Sequence, residues 1–265
     1  MKSLSADLTK SLTGLIGRTV PRPTGTLAGH AAGLPFERLV NEMLQQRLPG
    51  QTFRHFELLN QIYLNNPKMN TLEQRYSLLG PPSLQYLLKR GKAATEKWSQ
   101  VELFEEKQND TAEIVVIPSK KLVIEVDHVR PVTLIDVKTQ DVGKKAQAPN
   151  IISAEKVANV CKLAIESENF LPFEILYVGI KWQATKTELV CTDVRIVSLT
   201  DIDPKNLYIN WAAALQIQFH PFEVPTSYTK DGMSWARDYL KNFCAQLERR
   251  IENERVKLET FRSVV

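Results

Sequence analysis

Asp136 and Lys138, two residues apart in Thr133-Leu134-Ile135-Asp136-Val137-Lys138-Thr139, are the residues of this chain best placed by type and spacing to act together. The segment is apolar and rich in β-branched residues, so it reads as a strand, and a spacing of two on a strand sends both side chains to one face. The acid-x-Lys spacing occurs twice more, at Glu105-Glu106-Lys107 and Asp203-Pro204-Lys205. The first stands in a charged run and the second among turn residues, so both read as solvated. The preceding run Gln108 to Ile117 supplies Asp110 and Glu113, which two antiparallel strands would bring beside Asp136. Carboxylates gathered in this way repel one another. A bound Mg2+, which takes oxygen ligands and keeps places for water and phosphate, removes the conflict. With an ammonium to position water and offset developing charge, such a site suits phosphodiester hydrolysis. Taken alone, the same residues read first as an ion pair on a strand surface.

A second group of polar residues follows in Lys144-Lys145-Ala146-Gln147-Ala148-Pro149-Asn150, ahead of an expected helix. Its amides and lysines suit a loop that enters a DNA groove, although on residue type alone a polar turn capping the helix accounts for it better. Asn210 invites the same two readings, base contact or cap. Lys92 and Arg90 are either phosphate contacts or solvated cations. The glycine-rich segment Gly25 to Gly33 has no strand before it and lacks the Lys-Ser/Thr ending of a phosphate-binding loop, so an NTPase is disfavoured. His30, His55, His128 and His220 form no metal-binding pair, and no catalytic role is assigned to His220. Cys161, Cys191 and Cys244 are too few and too far apart for a disulfide framework or a CxxC site, and are expected to be reduced and mostly in the core.

The elements that must position these residues change character along the chain. Phe36, Leu39, Val40, Met43 and Leu44 form one apolar helix stripe after the Gly/Pro-rich stretch Pro21 to Pro35. Helical patterns follow at Phe56 to Tyr63 and at Leu72 to Leu79, the latter ended by Gly80-Pro81-Pro82. Near Thr111 the period falls towards two, giving expected adjacent strands at Ala112 to Ile117, Leu122 to Val126 and Val132 to Val137. A helix is expected over Ser153 to Ile165, strands over Phe173 to Trp182, Glu188 to Leu199 and Leu215 to Phe219, and a helix docked on the core over Ser234 to Phe261. The pattern gives a mixed α/β (α+β) fold with a central mixed sheet flanked by helices.

The 265 residues, 43% hydrophobic and 24% charged, describe a folded globular chain. The most apolar stretches fall far short of the roughly 18 to 20 residues of a membrane span, and the N-terminus does not read as a signal peptide, so a soluble, cytoplasmic protein is expected. A net charge of +4 permits an anionic partner without requiring one.

The order of an acid, a two-carboxylate strand and acid-x-Lys resembles the PD-(D/E)xK nuclease motif. More specifically, the chain resembles the HincII family of type II restriction endonucleases. The resemblance runs through GTLAGHAAGLPFE (Gly25 to Glu37), RGKAATE (Arg90 to Glu96), LFEEKQNDTA (Leu103 to Ala112), DVKT (Asp136 to Thr139), AQAPNIISA (Ala146 to Ala154) and YINWAAALQIQFH (Tyr208 to His220). It implies one restriction-endonuclease-like domain over residues 1–265: a helical third (1–110), a catalytic sheet region (111–220) and a C-terminal helix (231–262). It further implies a Mg2+-dependent homodimer that cuts double-stranded DNA bluntly within a GTYRAC-like hexanucleotide, working alongside a cognate DNA methyltransferase. Glu113, Asp136 and Lys138 are then the catalytic residues, with Glu113 and Asp136 as metal ligands. Gln147, Ala148, Asn150, Asn210 and Lys92 are the DNA contacts, with Gln147 pushing into the base stack and Asn150 meeting bases. The family pattern has aspartate where Glu113 stands, and about ten extra residues, among them Glu125, Asp127 and His128, lengthen the hairpin before Asp136. The alternative reading is therefore a sequence-specific DNA-binding relative with impaired cleavage.

Overall fold

The computed structural model describes residues 4–25, 30–65, 68, 71–89, 114–118, 131–145, 148–212 and 215–263. Its frame is a six-stranded mixed sheet in the order β1-β7-β6-β4-β3-β2, formed by Thr19–Pro21 (β1), Thr52–Arg54 (β2), Ile114–Val116 (β3), Val132–Asp141 (β4), Phe173–Ala184 (β6) and Glu188–Ser198 (β7). Strand β4 runs parallel to β6 over ten positions, from Val132 opposite Phe173 to Asp141 opposite Trp182, and the remaining neighbours are antiparallel. A central strand must bury both faces, and β4 does so by alternation: Leu134 enters one core and Ile135 the other.

Helices α1 (Leu4–Leu12) and α2 (His30–Arg47) cover one face, where Leu12, Phe36, Val40 and Leu44 meet Ile135, Leu176 and Val178. Helices α3 (His55–Asn65), α4 (Leu72–Ser77), α5 (Pro82–Leu88) and α6 (Ala154–Leu163) cover the other. Ser153 caps α6 by accepting from the Lys156 N–H at 3.2 Å. The last helix, α7 (Gly232–Arg262), opens with Asp231 accepting from the N–H groups of Met233 and Ser234. Trp235 and Tyr239 fasten its first turns: their rings stack at 5.2 Å, and they donate to the carbonyls of Ile202 and Ala154, each at 2.8 Å.

Several elements depart from the sequence pattern. Helix α2 starts at His30, five residues inside the Gly/Pro-rich stretch, and carries Pro35 in its second turn at the loss of one helical hydrogen bond. Pro82 opens α5 instead of only closing α4, because a proline at the first helical position gives up an N–H with no helical partner. The strand at Gln216–Gln218 (β9) does not join the main sheet. It lies between Asn150–Ser153 (β5) and Tyr208–Asn210 (β8) in a separate three-stranded sheet. Helix α7 docks only through its first half, and Ile251, Val256, Leu258 and Phe261 beyond it are exposed. Of the three expected adjacent strands, β3 and β4 pair antiparallel, and Leu122 to Val126 lies outside the described residues.

Candidate active site and DNA-reading face

Strand β4 carries Asp136 and Lys138 out of the core. Its first four positions are buried and the last six, from Asp136 on, are half-buried. Asp136 and Lys138 share a face as their spacing requires, with Nζ 2.8 Å from Oδ2 and side chains 26% and 23% exposed. An ion pair this accessible is worth only roughly 0–1 kcal/mol to stability, so fold stability does not explain its presence. The same face of β6 places Tyr177 opposite Asp136 and Gly179 opposite Lys138. Tyr177 is buried edge-on against Phe219 at 5.3 Å.

Gly179 is the close approach. A Cβ there would stand 2.7 Å from Cβ of Pro221 and 3.0 Å from the Phe222 ring, so the turn at His220 to Phe222 packs directly beside the position paired with Lys138. A small cavity of ≈ 50 Å³ reaches Asp136 between Leu134, Ile151, Tyr177 and Lys156. Lys156, in the first turn of α6, donates to the Lys89 carbonyl at 3.3 Å. Gly179 and Lys156 belong to none of the motifs named above. A glycine inside an apolar strand was the available signal for the first; for Lys156 no pattern in the sequence marks it.

The second sheet carries the amides. Asn150, exposed at the start of β5, pairs with Gln218 of β9 and accepts from its Nε2 at 2.7 Å. It does not cap α6, a task that falls to Ser153. Ala148 is half-buried just ahead of it. Asn210 closes β8 by accepting from the Ala212 N–H at 3.1 Å, a turn contact that leaves it half-buried, while Tyr208 two residues earlier is 63% exposed. Glu113, Asp110, Gln147, Lys92, Arg90, Glu125, Asp127 and His128 lie outside the described residues, as does Glu105-Glu106-Lys107. Asp203-Pro204-Lys205 forms a short 3-10 turn in which Asp203 accepts from the Lys205 N–H.

Among the described residues, no group of three His, Cys, Asp or Glu converges on a point that could hold a metal ion. By itself Asp136 fits one ligand position: a carboxylate about a quarter exposed, beside a cavity and a cation. That is the share a single side chain takes in a Mg2+ site, where few protein carboxylates are joined by water and phosphate. Thiol chemistry is disfavoured at Cys161, which is buried and whose pKa burial pushes up to about 12. Cys191 is also buried, and Cys244 is exposed.

A mixed α+β architecture with an acid-x-Lys pair where the central strand leaves the core is a restriction-endonuclease-like arrangement. The family model for restriction endonuclease HincII matches residues 11–262, and the chain belongs to that family of type II restriction endonucleases. It is 45% identical over 237 residues to the type II restriction enzyme HindII of Haemophilus influenzae strain Rd, and 44% identical over 237 residues to the type II restriction enzyme HincII of Haemophilus influenzae. Each match covers 89% of this chain and 88% of the relative. By family the chain is a nuclease and a hydrolase that works on DNA, and among the described residues no helix is long and apolar enough to cross a membrane.

Proposed function

We propose that this chain is a Mg2+-dependent PD-(D/E)xK endonuclease that, as a cytoplasmic homodimer over a single domain, cuts both strands of a near-palindromic, GTYRAC-like hexanucleotide at its centre. A cognate methyltransferase would protect the host's own sites. The observation that carries the reading is the Asp136–Lys138 pair, two charges held 2.8 Å apart on one strand face with access to solvent and little value to stability. Glu113 supports it from the sequence. It directly precedes Ile114, whose antiparallel partner Ile135 directly precedes Asp136, and Val115, two residues after Glu113, faces the same core as Leu134.

Mg2+, held by Asp136 and Glu113, would polarise the scissile phosphate and lower the pKa of bound water. Lys138 has two tasks. Its ammonium holds the attacking water by hydrogen bonding and offsets the charge that builds on the phosphate oxygens. Asp136 keeps that ammonium aimed, and β4, paired on both sides, keeps the two side chains from drifting. Asn150 meets base edges in the groove, and Gln147 pushes into the base stack. An amide can donate and accept at one base edge, with about 1 to 3 kcal/mol of discrimination for a good bidentate contact. Ala148, Asn210 and Lys92 complete the contact.

The test is incubation of plasmid DNA with the protein and Mg2+, followed by sequencing of the fragment ends. Discrete fragments with blunt ends inside one hexanucleotide are expected. A salt-sensitive gel shift without cleavage would instead favour the DNA-binding relative in which Glu113, in place of aspartate, has cost the chain its chemistry. Asn150→Ala should narrow the preference for the cognate site while leaving the Mg2+ requirement intact. Unchanged ranking across an oligonucleotide set would remove Asn150 from the reading face.

A further inference from the structure

Between β8 and α7 lies an open groove of ≈ 530 Å³ that neither cleavage nor base reading uses. Lys205 and Tyr208 line it on one side, and Arg249, Arg250 and Lys257 of α7 on the other. Four cations face a single lining carboxylate, Glu254, which is already engaged by Lys257 at 3.2 Å. The arrangement is braced. Asn242 and Gln246 of α7 donate to the carbonyls of Pro204 and Leu207 at 2.7 and 3.5 Å, and the Arg250 guanidinium lies over the Trp211 ring at 5.5 Å.

Cations converging on one groove repel one another, and a ligand of repeating negative charge relieves that repulsion. Arg249 and Lys257 are eight residues apart, roughly 12 Å along a helix, which spans about three phosphates of one duplex strand. A single small anion would leave most of the charge unmet. The groove is also continuous with the reading face: Tyr208 and Asn210 share β8, which pairs with β9, which in turn pairs with β5 and Asn150. We propose that this groove holds the phosphodiester backbone of duplex DNA outside the recognition hexanucleotide, adding affinity that is independent of sequence. The inference rests on the reading of the chain as a DNA endonuclease.

The test measures binding of two duplexes centred on GTYRAC, one of 12 base pairs and one of 40, by fluorescence anisotropy over a salt series without Mg2+. The proteins are the wild type, the neutral variant Arg249→Gln/Arg250→Gln/Lys257→Gln and the charge-keeping variant Arg249→Lys/Arg250→Lys/Lys257→Arg. The wild type should prefer the longer duplex. The neutral variant should lose that preference, with the slope of log K against log salt shallower by roughly 5, since each phosphate contact contributes about 0.9 and the two grooves of the proposed dimer would each lose about three. Its affinity for the short duplex and its Mg2+-dependent cleavage of it should be unchanged, and the charge-keeping variant should behave as the wild type. Equal binding of both duplexes by the wild type, or a wild-type slope in the neutral variant, would overturn the inference alone. So would a charge-keeping variant that fails as the neutral one does, because the role would then be structural. A wild type that binds neither duplex overturns the endonuclease reading and this inference with it.

Discussion

Lys138 and Asp136 each remain about a quarter exposed while held in contact, so either can be removed without opening a cavity in the core. Alanine at either position is therefore expected to leave the thermal midpoint within a few degrees of wild type while lowering cleavage by roughly 10²–10³ or more, the usual cost of deleting one preorganised charge at a reacting centre. Single-turnover cleavage beside a thermal melt checks both halves; near-normal cutting by either variant would remove the pair from the chemistry. Glu174, at the start of β6, behaves differently. Burial, then the nearby charge of Asp201, raise its pKa from 4.5 to about 7 against a hydrogen bond from Ser198 that lowers it. A carboxyl raised in the folded state binds more protons there than in the unfolded chain, so its contribution to stability is complete below about pH 4.5 and lost as pH rises through about 7. Glu174→Gln should melt with the wild type near pH 4.5 and above it at pH 8. Parallel pH profiles for the two proteins would show that Glu174 does not titrate as described.

At the scale of elements, Gly179 makes a position where substitution should be felt in the fold before the chemistry. Gly179→Ala drives a methyl against Pro221 and Phe222 and should cost about 1–3 kcal/mol, read as a lower denaturant midpoint; an unchanged midpoint would mean the turn at His220 yields freely. What the sequence disclosed and what it hid follow the same physics. Helix α2 and strands β4, β6 and β7 were legible because each buries a long periodic face that only one register satisfies. The Asp136–Lys138 contact followed from period two alone. Strand β9 was legible as a strand but not as a member of a second sheet, since alternation says which face is buried and is silent on which neighbour pairs with it. Helix α5 was hidden because Pro81-Pro82 serves equally as a stop and as a start. The role proposed for Asn150 rests on the family resemblance, because a polar residue before a helix suits a cap equally well; here Ser153 takes the cap three residues later.

For the whole molecule, the proposed near-palindromic site sets the assembly: two identical active sites related by a two-fold axis match the symmetry of the duplex. Light scattering of the free protein and of its complex with DNA should give twice the 30.1 kDa chain mass in protein, and a monomer in both states would count against the cleavage scheme. One feature of the topology bears on how such an enzyme can change. Strands β4 and β6 are neighbours, yet the chain between them, residues 142–172, contains β5 and α6, so the connection closing the parallel pair that carries Asp136 also carries the proposed reader Asn150. In the vocabulary of protein engineering, the proposed reader and the proposed cutter are not exchangeable cassettes. Side chains exposed along this connection can vary freely, but a change in length between β5 and α6 would displace the Ser153 cap and pull on the register that sets Asp136 opposite Tyr177. New specificities in this lineage are therefore to be sought by altering the spelling of the crossover, never its length.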